Sequence, residues 1–424
     1  MEASLLAALN RIVGSRWVRH RRAELVTYAM DGLPTHESVP GVVVMPGSPD
    51  QVREIVRLLH LLQVPFVARG AGTGLSGGAL ADPGTVLIAL TRLNRILSVD
   101  PVQRRAVLQP GVVNARLSEA VLPYGLYYVP DPSSQAACTI GGNVAENAGG
   151  PHCLKYGVTT NHIVALEVIL PDGSAVRLGS IQGEPWGPDL VGLFVGSEGM
   201  FGIATEITVR LERIPESVRT MLADFPTVRA ASEAVSAIIA AGIVPAALEM
   251  MDRACVAAVE ASIYAAGYPT DAAAVLLVEL DGQAAAVEGE AASVRAILTE
   301  CGAREVRSAS SPADRARLWQ GRKKAFGAMG RIARDLAVQD AVVPRSALPA
   351  IMDQIEGIRR EFDLTISNVF HAGDGNLHPN ISFDRRDPAV LGRVRSACRE
   401  IMAACVAVGG SITGEHGVGN DKLD

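Results

Sequence analysis

Two of the chain's eight histidines close the run His371-Ala372-Gly373-Asp374-Gly375-Asn376-Leu377-His378. Asp-Gly between residues of strand character is a preferred two-residue hairpin turn. With Asp374 and Gly375 at the tip, Gly373 faces Asn376, Ala372 faces Leu377 and His371 faces His378. Directly opposed residues share a face with Cβ atoms ~5 Å apart, so two imidazoles in that register can chelate one ion. Asn380, two residues beyond His378, falls on the same face. Glu415-His416 sits in a Gly-flanked turn near the C-terminal end. Glu415 can complete a site of two histidines and one carboxylate with open positions, suited to Zn²⁺, Mn²⁺ or Fe²⁺. The plain competitors are unligated surface histidines and a solvated Glu-His turn.

A second chemistry-bearing pattern is Gly72-Thr73-Gly74-Leu75-Ser76-Gly77, which matches G-x-G-x-x-G. A dinucleotide fingerprint must open a helix and be followed about 20 residues later by an acid at a strand end. Here Gly78, Pro83 and Gly84 follow, which argues against a helix. The loop reads instead as a strand-to-strand nest whose backbone N–H groups can turn inward on a pyrophosphate. Gly-rich segments recur at 139–150, after the rigid turn Pro130-Asp131-Pro132-Ser133-Ser134, and at 196–199. Three such loops suit a ligand longer than one phosphate, such as FAD.

The elements that must hold these residues follow from periodicity. Residues 41–45, 64–68 and 85–90 read as strands, with a helix from Ser48-Pro49 through Leu62 carrying apolar Val52, Ile55, Val56 and Leu59. A hairpin at 163–178 turns at Pro171-Asp172-Gly173, and a strand near 203–211 closes the first half. Beyond Ile214, Ala-rich helices near 227–241, 282–300, 312–333, 347–361 and 388–407 alternate with strands near 273–280, 338–343, 365–371 and 377–383. That is a second α+β domain, giving an expected division into 1–215 and 216–424.

Composition limits the function classes. The 424 residues exceed one ordinary core. A net charge of −6 without a long basic run argues against a nucleic-acid partner. Cys138, Cys153, Cys255, Cys301, Cys398 and Cys405 are scattered, as expected of reduced thiols in a cytoplasmic protein. The best apolar stretch, Ala237 to Leu248, is broken by Gly242 and Pro245, so no membrane span is expected.

The chain resembles the FAD-linked oxidases of the vanillyl-alcohol oxidase or PCMH type, and within them the glycolate oxidase D subunit and the D-lactate and D-2-hydroxyglutarate dehydrogenases. The resemblance is carried in order by RGAGTGLSGGA at 69–79, PDPSSQAACTIGGNVAENAGG at 130–150, LKYGVT at 154–159 and VGSEGMFGIATEI at 195–207. It continues through LWQGRKKAFGAMGR at 318–331, HAGDGNLHPN at 371–380 and TGEHGVG at 413–419. It implies an α+β fold: a PCMH-type FAD-binding domain of two α/β subdomains, then a substrate and metal domain built on an antiparallel sheet.

The resemblance also implies site roles. Arg69, Gly70, Ala71, Gly72, Thr73, Gly74, Leu75, Ser76 and Gly77 would wrap the FAD pyrophosphate, while Thr139, Gly141, Gly142, Asn143 and Ile203 line the flavin. Pro130, Asp131, Ser133, Asn147, Gly149, Glu198, Gly199 and Gly202 complete the expected cofactor set. Some relatives attach flavin to a histidine in the first loop; 69–79 has none, so FAD is expected to be non-covalent. His371, His378 and Glu415 are implied as metal ligands and His416 as the catalytic base, with Asn380 beside the substrate. Arg322 is the candidate for the substrate carboxylate, since a guanidinium can grip it with two hydrogen bonds; from the sequence alone a helix-surface arginine is the plainer reading. Some dicarboxylate-using relatives place a lysine on the strand shortly after, where this chain has Leu336-Ala337-Val338-Gln339-Asp340. That favours glycolate or D-lactate over 2-hydroxyglutarate.

The expected reaction is oxidation of a small D-2-hydroxy acid by hydride transfer to flavin N5. The ion lowers the pKa of the substrate hydroxyl and His416 takes its proton. Expected partners are the small-molecule acid, an iron–sulfur subunit and a second flavin subunit, through which the chain would sit peripheral to the inner membrane. Relatives continue past the Glu-His motif by a helix and a Pro-Gly-Lys type segment, whereas this sequence ends at Asp424; loss of such a tail would weaken FAD binding and activity. Three alternatives stay open: a metal-dependent hydrolase with structural Gly loops, which would be colourless; a flavin-carrying subunit active only in its complex; and a truncated, inactive relative.

Overall fold

The computed structural model describes residues 3–180, 182 and 187–423. Two compact units emerge: Met1–Gly149, Gly157–Ile214 and Glu415–Asp424 form the first, and Gly150–Tyr156 with Pro215–Gly414 the second.

In the first unit, Ser48 caps the helix Pro49–Leu61 by accepting from Gln51 N (3.3 Å), with proline in the first turn. Its apolar face, Val52, Ile55, Val56 and Leu59, is fully buried. This face belongs to the same core as a small sheet in which Val42–Val44 and Phe66–Arg69 flank Val86–Ala89 in parallel. Every residue of Val42–Val44 and Val86–Ala89 is buried, as strands covered on both faces require. The 70–84 loop leaves the strand Phe66–Arg69 without opening a helix, as its glycines and proline anticipate. A five-stranded antiparallel sheet follows, ordered Ile96–Asp100, Arg105–Leu108, Ile203–Arg210, Ile163–Ile169, Ala175–Gly179. Leu108, Leu166, Val168, Ile207 and Val209 share its core with the helices Asn114–Val121 and Ile140–Glu146.

The tail of the chain is held on the first loop of this unit. Glu198 accepts from Val418 N (2.8 Å) and Gly419 N (2.7 Å), and Asn420 donates to Ser76 O (2.7 Å) and Gly77 O (2.9 Å). Glu146 lies against Glu198: a Cβ on Gly417 would come within 2.5 Å of Glu146 Oε2 and 2.9 Å of Glu198 Cδ. Burial, then the charges of Glu198 and Asp31, push the Glu146 carboxyl up to about 8, against the opposing pull of Lys422.

The second unit is built on an antiparallel sheet, nine-stranded among the described residues. Ser217–Phe225 pairs along its whole length with Ala274–Gly282, which pairs with Ala247–Asp252, which pairs in turn with Thr365–His371. Alternation assigns the two faces. Leu248, Met250, Leu276, Val278 and Phe370 join a core with the helices Val228–Ala240, Ala284–Glu300, Leu348–Glu361 and Pro388–Ala407. Ala247, Met251, Val275, Leu277 and Val369 face the other way, onto the helices Arg253–Glu260, Pro312–Lys323 and Ala325–Met329. Glu249, Glu279 and His371 share this second face by parity. Glu279 is neutralised there by Arg315 (2.7 and 2.8 Å), Trp319 Nε1 (2.6 Å), Thr220 Oγ1 (2.5 Å) and His152 (3.3 Å). His152, Lys155 and Tyr156, the latter two on Asp281, fasten the short segment Gly150–Tyr156 to this sheet.

Three elements differ from the periodicity reading. The helix expected over 312–333 stops at Lys323, and a one-turn helix Ala325–Met329 follows; Gly321, Gly327 and Gly330 weaken helical propensity there. The strand expected at 338–343 is two pieces, Asp335–Val338 and Ala341–Val342, and 377–383 is likewise broken at His378 between Asn376–Leu377 and Pro379–Phe383. Pro379 lacks a ladder donor and biases the residue before it.

Gly321 lets the helix Pro312–Lys323 approach Tyr268: a Cβ there would lie 2.8 Å from Tyr268 Cε2 and 2.9 Å from Ala266 Cβ. Gly321→Ala should destabilise the second unit by about 1–3 kcal/mol, measured by denaturant unfolding; unchanged stability would show that the helix can shift freely. For Glu146, the folded state holds its proton more tightly than the unfolded chain does. The associated stability is therefore full below the ordinary value of 4.5 and is lost as pH rises through about 8. Glu146→Gln should flatten the fall in melting temperature between pH 4.5 and about 8, and an identical slope in both proteins would refute the assignment.

Candidate active site

His371 ends the strand Thr365–His371, and its partner is Asn376, not His378. The same register continues to Asn368↔Pro379, which puts His378 opposite Val369. The expected two-residue turn at Asp374-Gly375 is therefore corrected: the loop spans 372–375, with Gly375 at φ +80°. The physical reason is Gly375's close approach to Val343, whose N–H donates to Gly375 O (3.0 Å) and whose carbonyl leaves no room for a Cβ. A slip of two residues preserves the side-chain face, where a slip of one would have reversed it. The imidazoles thus still meet as a diagonal pair, with ring centroids 5.2 Å apart and both rings buried.

Hydrogen bonds set the tautomers. His378 Nδ1 lies 3.1 Å from Gln339 O, an atom that can only accept, so Nδ1 carries the hydrogen and the neutral ring has its lone pair on Nε2. His371 Nδ1 lies 2.8 Å from Glu249 Oε1, a carboxylate that orders the second ring in the same way. Two buried imidazoles with lone pairs at Nε2 are the donor set that Zn²⁺, Mn²⁺ or Fe²⁺ takes. Asp340, fully buried, lies 4.0 Å from His378 Nδ1 and accepts from Thr413 Oγ1 (2.7 Å) and Gly414 N (2.9 Å).

Arg322 is not on a helix surface, as the plainer sequence reading had it; it has no exposed area. Its Nε donates to Glu249 Oε2 (2.7 Å), and Nη2 is 2.5 Å from the same oxygen, while Nη1 has no hydrogen-bond partner. Burial opposes ionisation of Glu249, but Arg322 and His371 outweigh it and hold the carboxyl below its ordinary range. Asn380 is buried; its Nδ2 donates to His378 O (2.6 Å) and Ser367 O (3.3 Å), leaving Oδ1 unpartnered. Glu249, which periodicity did not single out, is the residue that joins Arg322 to His371. Its signal was an acid inside the apolar run Ala246-Ala247-Leu248-Glu249-Met250-Met251.

In the first unit the structure brings the first two Gly-rich segments together. A Cβ on Gly70 would meet Thr139 Oγ1 at 2.3 Å, so the backbone of the first segment runs against the Thr139 side chain. Thr139 is the N-cap of a helix, Ile140–Glu146, where a loop was expected; Gly141 lets that helix press on Pro110, with 2.4 Å to a Cβ. Ala71 and Thr139 help line a cavity of about 350 Å³ with Ile96, Gly111, Val112 and Arg116. A capped helix start beside a glycine loop and a cavity of this size accept part of a dinucleotide.

Other expected cofactor residues make contacts within the chain. Arg69 donates to the carbonyls of Tyr28, Met30 and Ala79 and so staples the loop. Asn143 bonds Asn114, which also holds Pro130 O. Asn147, in the left-handed region at φ +53°, accepts from Thr160 N, and Glu198 holds the tail. Ile203 lies in the apolar core with Ile169, and a side chain at Gly202 would meet Ile169 O. Glu415 Oε2 accepts from Gly149 N (3.1 Å), and His416 Nε2 is 3.9 Å from Glu415 Oε1. Among the described residues no helix is long and apolar enough to cross a membrane.

Comparison with known proteins adds sequence and fold relationships. Residues 40–179 match the FAD binding domain and residues 214–424 match the FAD linked oxidases, C-terminal domain. The glycolate oxidase subunit GlcD of Escherichia coli is 49% identical over 99% of this chain and 84% of that protein. The D-lactate dehydrogenase of Anaerostipes hadrus is 33% identical over 91% of this chain and 82% of that protein. A crystal structure of p-cresol methylhydroxylase with substrate bound superposes with a TM-score of 0.83 at 17% identity, over 99% of this chain and 89% of that one, and so shares the PCMH-type fold. The glycine loop closed on a capped helix, the antiparallel sheet and these matches together place the chain in the family of FAD-linked oxidases, as an oxidoreductase that binds FAD.

Proposed function

We propose that this chain oxidises a small D-2-hydroxy acid, glycolate or D-lactate, to the 2-oxo acid, with a divalent metal beside the substrate. The observation that carries the reading is the buried group in the second unit, where Glu249 joins Arg322 to His371, His371 meets His378, and Arg322 Nη1 lacks an acceptor. A buried guanidinium N–H without a partner costs about 1–3 kcal/mol, which a ligand carboxylate would return. The named activities of the two relatives, glycolate oxidase and D-lactate dehydrogenase, support the substrate class.

The 69–77 loop and the Thr139 segment would hold FAD, which would supply the two-electron acceptor for the hydride on the substrate carbon. His371, His378 and Glu415 would hold a divalent ion, which would supply Lewis acidity toward the substrate hydroxyl. Gly414, whose N–H is held by Asp340, immediately precedes Glu415 in the chain. Arg322 binds and orients the carboxylate, and Asn380 presents its amide oxygen to the same substrate. His416 takes the hydroxyl proton on an imidazole nitrogen, which requires the neutral ring. The stretch Leu336-Ala337-Val338-Gln339-Asp340, where some dicarboxylate-using relatives place a lysine, holds none and favours a monocarboxylate. The relative named as a glycolate oxidase subunit supports partner subunits for this chain; we propose an iron–sulfur subunit and a second flavin subunit that carry the electrons onward.

The deciding experiment is an absorption spectrum of the purified chain, followed by anaerobic titration with glycolate, D-lactate and D-2-hydroxyglutarate. Glycolate or D-lactate should bleach the flavin band. Colourless protein would favour the hydrolase reading, and a flavin untouched by all three acids would remove the substrate class. His416→Ala should keep its FAD and lose about 10²–10⁴-fold in turnover; near-normal turnover would refute its role as base.

A further inference from the structure

We infer that Glu249 is a positioning residue which uses its two carboxylate oxygens separately, one to set the tautomer of His371 and one to aim Arg322. The inference rests on the proposed reading of those two residues. Oε1 lies 2.8 Å from His371 Nδ1, while Oε2 takes the Nε edge of Arg322 at 2.7 Å. None of the Glu249 or Arg322 side chain is exposed, so water cannot substitute for either contact.

The sheet register makes this division possible. Glu249 stands directly opposite His371 on the neighbouring antiparallel strand, so the two side chains leave the sheet on one face. Arg322 descends onto that face from the helix Pro312–Lys323, whose approach Gly321 permits. A carboxylate can only accept, so it selects the Nδ1–H form of His371 and places the ring's lone pair on Nε2. It also takes the Nε and Nη2 edge of the guanidinium, and Nη1 is left without an acceptor. A single acid thereby couples the ligand nitrogen to the group that grips the substrate.

A glutamine has the same shape but offers an amide N–H₂ that can donate to Nδ1, which would favour the Nε2–H form and disable the ligand nitrogen. Zn²⁺ titration of the FAD-loaded chain against a chromophoric chelator should show about 10–100-fold weaker binding in Glu249→Gln. Far-UV circular dichroism and the melting temperature report that the variant has folded. At saturating Zn²⁺ the variant should still show a raised KM for its hydroxy acid with a smaller change in kcat, because a neutral amide oxygen holds Arg322 less firmly than the carboxylate does. Equal Zn²⁺ affinity in both proteins overturns the inference, as does an unchanged KM. If the unaltered chain binds no Zn²⁺, Mn²⁺ or Fe²⁺, the metal reading fails separately. The role of Glu249 is then decided by ¹⁵N shifts of labelled histidine in the unaltered protein, which also serve if the variant does not fold. The Nδ1–H form of His371 upholds it and the Nε2–H form ends it.

Discussion

A carboxylate with no exposed surface has to be neutralised where it stands, and Glu249 imposes that requirement on the middle of the second unit's sheet. Removing an ion from water costs several kcal/mol even after relaxation, and the attraction of a partner offsets it only when the geometry is good. Arg322 and His371 meet the need from a helix and a strand far apart in sequence. Other features follow as conditions on that contact: Gly321 against Tyr268, the pairing of Ala247–Asp252 with Thr365–His371, and the apolar packing of Leu318, Val369 and Met251 around it. Glu279 repeats the arrangement farther along the same face with Arg315, Trp319 and His152. That second group closes on itself, whereas the first leaves Nη1 of Arg322 open.

The polar residues of this site cluster where the sheet is interrupted. Asp335–Val338 and Ala341–Val342 share one register with Pro379–Phe383 and Asn376–Leu377, so the break at Gln339-Asp340 lies opposite the break at His378. Pro379 removes one ladder donor, and Gln339 O serves as acceptor for His378 Nδ1. An interrupted ladder leaves backbone groups that side chains must satisfy, and those bonds fix the side chains in turn. Asn380 is held in this way, with its amide nitrogen on two carbonyls and its oxygen left over.

In the first unit glycine acts by allowing backbone contact. Gly70 meets Thr139, Gly141 meets Pro110 and Gly202 meets Ile169, each at a distance no side chain tolerates. The fold is shared with p-cresol methylhydroxylase at 17% identity, which shows how few positions the scaffold constrains. Fold alone does not carry the chemistry, so the proposed reaction rests on the residues of the site.

The chain by itself determined the elements and the parity of the site strand. A continuous apolar run set the Val86–Ala89 strand and period-3.6 apolar spacing the Pro49–Leu61 helix, and Ser48-Pro49 marked a helix start because a cap and a missing donor are local properties. His371 and His378 were placed on one face because that depends only on even or odd spacing, which survived the wrong turn length. The 372–375 loop was not readable, since Val343 decides it from outside the segment. Nor was the helical state of Ile140–Glu146, where packing of Ile140 and Val144 overrides two glycines. The burial of Arg322 and the choice of Glu249 as its partner were decided only in three dimensions. A buried charge takes whichever opposite charge the packed sheet brings within hydrogen-bond reach, and no local pattern encodes a contact across 73 residues.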